Sequence, residues 1–529
     1  MTTASDRDLG MTGLDGTEEQ AFDWSTLEAG ETATSLLPES LARKYIAFPA
    51  RVEEGKLVVV MANPRDYRAL QSLEMRARME VVPLASSASD IINAIDIHYS
   101  TTMPSSISSA MDNRYFAKDD GRVEIREIPL VLGGEEAALE DADSSPVIQA
   151  IDSLINQAVK ARSTDIHIEP MEDRVRVRFR IDGFLQEVAR LPTAAHAALI
   201  SRLKIMSSMD IAERRRPQDG HFAVKVGDSS IEVRSATTDT VHGEMAVLRI
   251  LNKSLKLFSL DGLGMLEGTG NAMKRLLRAP YGIILVSGPT GAGKTTTLYS
   301  ALSEMDSKTT NIITIEDPVE YRFPGVNSIQ INDKAGLTFA SSLRAVLRLD
   351  PDVILVGEIR DAETARIAVQ AALTGHLVMS SVHANDAVRA VSRMVDLGVE
   401  PFLLSSALLG VVSQRMVRVI CDHCTTTKTP EGDDLTAAVE MGFDPDQAMP
   451  AGEGCYFCAF TGYRGRTGLY EILTATEDFR QLVLQESDNQ KLLEAARKTG
   501  FKTMKDDGLE KVNGGITTPF EVMRSVYSL

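Results

Sequence analysis

A buried strand that runs into a glycine-rich loop and out into a helix constrains this chain more than any other feature. Tyr281-Gly-Ile-Ile-Leu-Val-Ser287 is an apolar run, Gly288-Pro289-Thr290-Gly291-Ala292-Gly293-Lys294-Thr295 follows it, and Thr296 to Leu302 continue with helical character. Glycines let backbone N–H groups turn inward around phosphate, and a helix N-terminus adds the positive end of its dipole. Gly288 to Thr296 are therefore expected to cradle the phosphates of ATP, with Lys294 reaching the β- and γ-phosphates and the Thr295 hydroxyl on Mg²⁺. A chance match would lack the strand before and the helix after; both are present.

The 529-residue chain is too long for one core, and length suggests roughly three or four domains. No stretch approaches the ~18 apolar residues that a membrane span needs; the nearest, Pro401 to Val412, is broken by Ser405, Ser406 and Gly410. The opening Met1-Thr-Thr-Ala-Ser-Asp-Arg-Asp lacks the basic and apolar regions of a secretory signal. A cytosolic location is expected, with membrane attachment only through partners. The net charge of −18 argues against a broad grip on nucleic acid, which basic surface normally supplies.

Residues 1–35 are polar and acidic and read as disordered. A helix at Pro38–Tyr45, strands at Lys56–Met61 and Met79–Pro83 and a helix at Ser89–Tyr99 make a small α/β module over 36–100. Residues 101–143 turn Ser-rich and then acidic, a linker that leaves the first module mobile. A second domain, 144–253, opens with a helix bearing Val147, Ile151, Leu154, Ile155 and Ala158 on one face. In it Val175-Arg-Val-Arg-Phe-Arg-Ile181 alternates, and Asp182-Gly183 makes a hairpin turn. From about 272 onward continuous apolar strands alternate with helices, as in a parallel sheet covered on both faces.

Hydrolysis also needs a metal-holding carboxylate, a positioned water and positive charge at the transferred phosphate. Asp352-Val-Ile-Leu-Val-Gly-Glu358 is a buried strand ending in an acid, weak evidence alone because apolar strands often end so. Ile312-Ile-Thr-Ile-Glu316-Asp-Pro-Val-Glu320 is another, and a carboxylate there can orient or deprotonate water. With Thr374-Gly-His376 and Val382-His383-Ala-Asn385, this segment resembles the Asp box and His box of the secretion and pilus-assembly ATPase family. Its members include type II secretion, pilus extension and pilus retraction ATPases. The resemblance implies Glu316 as general base, Glu358 as the Mg²⁺-side acid and His383 as a γ-phosphate sensor. A histidine in an apolar stretch is more often a satisfied core residue, and for His376 that reading stands equal.

The family draws arginines to the γ-phosphate from its second domain and from the helix before the second acidic strand. The matching positions are Arg234, Arg249, Arg344 and Arg348, the last two at i, i+4 on one helical face. Arg249 lies between apolar neighbours, where an uncompensated charge would be costly. The bland alternative for each is an exposed basic face. Where the family often has Gln-Asp-Gly-Arg, this chain has Gln218-Asp-Gly-His221, which removes an arginine from that turn.

The only cysteines, Cys421, Cys424, Cys455 and Cys458, form two C-x₂-C knuckles. Four thiolates suit structural Zn²⁺, and the gap, longer than the usual ~15–20 residues, costs under ~0.6 kcal/mol more to close. His423 is a possible substitute ligand, and four reduced structural cysteines are the plain alternative. The retraction branch lacks such a module.

The expected fold is α/β: a RecA-like core over 254–529, a preceding α+β (PAS-like) domain, a small N-terminal module that binds a partner, a zinc insertion near 415–468 and a helical region over 470–529. By resemblance the protein is a homohexameric ATPase on the cytoplasmic face of the inner membrane. Its partners would be an inner-membrane platform protein and the cytoplasmic domain of a membrane-anchored assembly protein. The short region before the second domain favours type II secretion, driving pseudopilus assembly, over pilus extension. A nucleic-acid translocase of related fold is the reading from another class. A second-messenger receptor is weak, because no Arg-Leu-Gly motif lies near residues 20–50.

Overall fold

In the computed structural model, the described residues are 22, 24, 31–53, 55–101, 146–226, 229–252, 259–485 and 488–527. They fall into two units, Met1–Ile250 with Gly454–Thr461, and Leu251–Glu453 with Gly462–Leu529.

Helices α1 (Glu31–Leu36) and α2 (Glu39–Tyr45) precede strands β1 (Ala47–Glu53) and β2 (Lys56–Met61), then α3 (Tyr67–Ala77), β3 (Val81–Ala85) and α4 (Ala88–Thr101). β1 pairs antiparallel and β3 parallel with β2. Leu57, Val59 and Met61 of β2 meet Leu73 of α3 in a fully buried core. The disorder expected for 1–35 is corrected at its end. α1 is helical, and the Phe22 N–H donates to the Ala85 carbonyl at 3.0 Å, which ties that stretch to β3. The rest of that stretch and most of the expected linker lie outside the described residues.

The same unit continues with α5 (Pro146–Lys160), β4 (Asp165–Pro170), β5 (Val175–Ile181), β6 (Phe184–Leu191), α6 (His196–Met206), β7 (Gln218–Val226), β8 (Ser229–Thr240) and β9 (Gly243–Asn252). The strands form one sheet in the order β6-β5-β4-β9-β8-β7. Val175, Val177 and Phe179 point into a core shared with Leu154 of α5 and Leu203 of α6, and the alternating arginines lie on the other face. Asp182 and Gly183 both take positive φ, 49° and 94°, which is what the two-residue hairpin requires.

The second unit runs α7 (Glu267–Leu277), β10 (Gly282–Ser287), α8 (Lys294–Ser303), β11 (Ile312–Glu316), β12 (Val326–Gln330), α9 (Phe339–Val346), β13 (Val353–Glu358), α10 (Ala362–Leu373), β14 (Leu377–Val382), α11 (Ala387–Asp396), α12 (Pro401–Ala407) and β15 (Leu408–Ile420). After it come β16 (Thr425–Lys428), α13 (Gly432–Met441), β17 (Met449–Gly452), β18 (Tyr463–Thr474), α14 (Glu477–Leu484), α15 (Asn489–Lys498), α16 (Met504–Asn513) and α17 (Pro519–Tyr527). Its large sheet has the order β12-β11-β13-β14-β10-β15-β18, parallel throughout except for β18. Alternate residues feed two cores. Ile283 and Leu285 of β10 join Ile354 and Val356 of β13 on one side, while Ile284 and Val286 join Val353 and Leu355 on the other. Burial on both faces explains why these strands read as unbroken apolar runs.

The Pro401–Val412 stretch is α12 followed by the start of β15, and no described helix is long and apolar enough to cross a membrane. Two boundaries also move. β15 and β18 form one long antiparallel ladder, from Gly410 paired with Thr474 to Ile420 paired with Tyr463, so the cysteine insertion proper begins after β15. The C-terminal region starts as strand, and its helices begin at Glu477.

Candidate functional site

In parallel α/β sheets, ligands bind beyond the carboxyl ends of the strands, where the strand order switches direction. Here β10 is that point: the chain leaves it toward β11 and later returns to its other side as β15. The phosphate loop sits at the carboxyl end of β10, with Gly288, Gly291 and Gly293 at φ 148°, 80° and 84°. Gly293 is the residue before α8, whose first residue is Lys294. The Lys294 Nζ donates to the carbonyls of Gly288 (2.8 Å) and Pro289 (3.0 Å), closing the loop on itself. Burial pulls the Lys294 ammonium below its ordinary pKa, and the Glu358 carboxylate opposes that by favouring the charged form. Thr295 is exposed at the start of α8.

Register places the acids along the same edge. Ser287 pairs with Val382 of β14, Glu358 of β13 pairs with Ser381, and Glu316 closes β11 beside it. Glu358 is held by Arg360 at 2.5 Å and lies 3.7 Å from His383 Nε2. His383 is about half exposed and lines a cleft of about 610 Å³ with Gly288, Pro289, Thr290, Asn385 and Arg389. His376 is apart from this group: its Nδ1 lies 2.9 Å from the Ala371 carbonyl, and it finishes the end of α10.

Glu316 is 4% exposed. The Tyr299 hydroxyl, from α8, donates to its Oε2, and Tyr299 is boxed by the rings of Tyr321 and Phe323 at 5.7 and 5.2 Å. Burial pushes the Glu316 carboxyl above the ordinary carboxylate range, and the Tyr299 hydrogen bond works against that. A base acts when ionised, so its activity is present above its pKa and lost below. Tyr299→Phe removes a bond that favours the charged form, and the acid limb of kcat against pH is expected to move to higher pH. An unmoved limb would separate Tyr299 from the base.

The arginines differ from expectation in two respects. Arg344 lies on α9 and is ion-paired to Glu363 at 2.5 Å, whereas Arg348 lies past the end of that helix and donates to the Arg344 carbonyl. α9 stops at Val346, and Arg348 follows in a tighter turn whose N–H donates to the Ala345 carbonyl at 3.1 Å. In the first unit, Arg249 is 64% exposed and bonded to Asp165 at 3.1 Å, so the costly buried charge does not arise. Arg234 lies 4.0 Å from Glu232 and faces His221 across the β7–β8 ladder.

All four cysteines are buried, and their sulfur atoms lie within 4.8 Å of one another. Tetrahedral Zn²⁺ with bonds of about 2.3 Å spaces its sulfurs about 3.8 Å apart, so the cluster fits a closed four-thiolate site. His423 is directed to Asp422 Oδ1 at 2.7 Å, which suits a bystander.

Sequence reading passed over Tyr299, Gln414 and Arg415, whose Nη2 donates to the Asn385 carbonyl at 3.1 Å. The signal was available for the last two, since Ser413-Gln-Arg415 puts polar groups in the middle of an apolar strand, and such groups need partners.

A phosphate loop at the switch point of a parallel sheet, with acids on the adjoining strand ends, defines a RecA-like P-loop ATPase. The X-ray structure of the Legionella pneumophila ATPase DotB shares this fold, with a TM-score of 0.53 at 21% identity over 70% of this chain and 94% of that one. Residues 140–524 match the family described as Type II/IV secretion system protein, and the chain belongs to that family. Residues 20–105 match the MshEN domain. The chain is 41% identical over 491 residues to the Type II secretion system protein E of Dickeya dadantii, covering 92% of this chain and 96% of that one. It is also 41% identical over 500 residues to the Type IV pilus assembly ATPase PilB of Thermus thermophilus, covering 93% of this chain but 54% of that one.

Proposed function

We propose that this protein is the ATP-hydrolysing motor of a type II secretion system, driving pseudopilus assembly at the inner membrane. The observation that carries this is nearly end-to-end similarity to a type II secretion protein, in a chain whose phosphate loop and two strand-end acids share one sheet edge. The similarity to a pilus-assembly ATPase spans little more than half of that relative, which favours secretion over pilus extension.

In this reading the loop amides of Gly288 to Thr296 and the Lys294 ammonium bind the triphosphate. Glu316, kept out of bulk water, takes up a proton from the attacking water or orients it. His383, beside Glu358, senses the γ-phosphate. Thr295 and Glu358 offer the oxygen donors that magnesium takes, and the ion neutralises phosphate charge when bound. Arg344 and Arg348 from the core, and Arg234 and Arg249 from the second domain, bring positive charge to the transferred group. The chain works as a homohexamer. The module at 36–100 meets the cytoplasmic domain of a membrane-anchored assembly protein. Cys421, Cys424, Cys455 and Cys458 hold zinc and present a surface to an inner-membrane platform protein. The protein works on the cytoplasmic face and reaches the membrane through these partners.

Phosphate release measured over a range of protein concentrations tests the ring. Activity is expected to rise more than linearly with concentration and to disappear in Arg234→Ala. Constant specific activity, with Arg234→Ala unaffected, would remove the ring mechanism.

A further inference from the structure

The phosphate loop rests on a strand from the far side of the sheet. β15 runs parallel to β10, with Ser413 opposite Ser287, so Gln414 lies level with the first loop residue. Gln414 is 1% exposed. Its Nε2 donates to the Ala292 carbonyl at 2.5 Å, and its Oε1 accepts from the Thr297 hydroxyl in α8 at 2.8 Å. A carbonyl can only accept, so the Ala292 contact fixes which way round the amide lies. The loop is moulded to this strand. A Cβ on Gly288 would lie 2.6 Å from the Gln414 carbonyl oxygen, and one on Gly293 would lie 3.3 Å from the Gln414 Nε2.

Ala292 C=O and Gly293 N–H belong to one planar trans peptide and point in opposite directions. A side chain that holds the Ala292 oxygen against the sheet therefore turns the Gly293 N–H outward. The Gly288 and Pro289 carbonyls are held in the same sense by Lys294. Fastened carbonyls leave the loop its amides as the groups that face a ligand, which is what an anion cradle needs.

We propose that Gln414 is a positioning residue of the phosphate site, orienting the Ala292–Gly293 peptide so that its N–H meets nucleotide phosphate. This rests on the reading of Gly288 to Thr296 as the nucleotide site. The ligand class is a nucleoside di- or triphosphate, and the residue acts through the loop without touching substrate.

The test is MgADP affinity by titration calorimetry on the full chain, beside the melting midpoint of the nucleotide-free protein. Gln414→Met keeps the bulk and removes the donor, and Gln414→Glu removes the donor but keeps an acceptor for Thr297. Thr297→Val removes the second bond and leaves the Ala292 bond. Both Gln414 variants are expected to weaken MgADP by about tenfold or more, the scale of one lost hydrogen bond, with Thr297→Val within roughly threefold. This order is expected even where all three lower the melting midpoint. Equal losses in Gln414→Met and Thr297→Val would show a packing role and overturn the proposal, as would unchanged affinity in the Gln414 variants. Lys294→Ala separates the two readings. If it also binds MgADP normally, the nucleotide site itself is misplaced; if it loses binding while Gln414→Met does not, only the role of Gln414 falls. Should Gln414→Met not fold, Gln414→Glu decides on the same criteria.

Discussion

Glu316→Gln is expected to leave MgATP binding within a fewfold and to lower kcat by about 10²–10⁴, the range a positioned general base contributes. The amide fills the same buried space at the end of β11 and can still accept from the Tyr299 hydroxyl, so the fold has little reason to respond. What it loses is the capacity to take a proton. Neighbouring acids are poor substitutes: Glu358 is engaged by Arg360, and Glu320 lies beyond the strand end. Single-turnover hydrolysis with a nucleotide-binding titration on the same sample checks this. A variant that hydrolyses at near the parental rate would move the base elsewhere on the sheet edge.

The second large effect concerns the cysteines. Removing metal with a chelator, or replacing Cys455 by Ser, is expected to make the 421–462 segment open to protease while the sheet core stays folded. Structural zinc contributes about 10–16 kcal/mol in small peptides, far more than the short β16–β17 pair and α13 can supply unaided. Thr425–Lys428 pairs with Met449–Gly452 over only four residues. Elemental analysis should find about one zinc per chain, lost in Cys455→Ser. A metal-free protein with the same cleavage pattern would leave the four cysteines as ordinary buried thiols.

Much of the core was legible because its signals are local. The run Gly282–Ser287, the glycines after it and the helix from Lys294 are adjacent in sequence, and each limits the others. Continuous apolar strands announced a doubly covered sheet for the same reason. Partners that depend on register were not legible. Gln414 meets Thr297 across 117 positions, and Arg249 finds Asp165 across 84, by strand pairings that no window of sequence displays. The end of α9 at Val346 decided the fate of Arg348, and helix ends are where local patterns are least binding. Tyr299 had no signal of its own in the helix after the loop, and its role emerges only because β11 places Glu316 against its hydroxyl.

The β15–β18 ladder carries a mechanical consequence. β15 is bonded to the glycine-rich loop at Gln414 and ends where Cys421 begins, seven residues further on and therefore about 23 Å away at strand rise. β18 is bonded to it along that length, which stiffens it as a girder is stiffened by its flange. A tug on the knuckle would be delivered to the cradle with little slack, at the speed of a rigid rod rather than by the slow slackening of a tether.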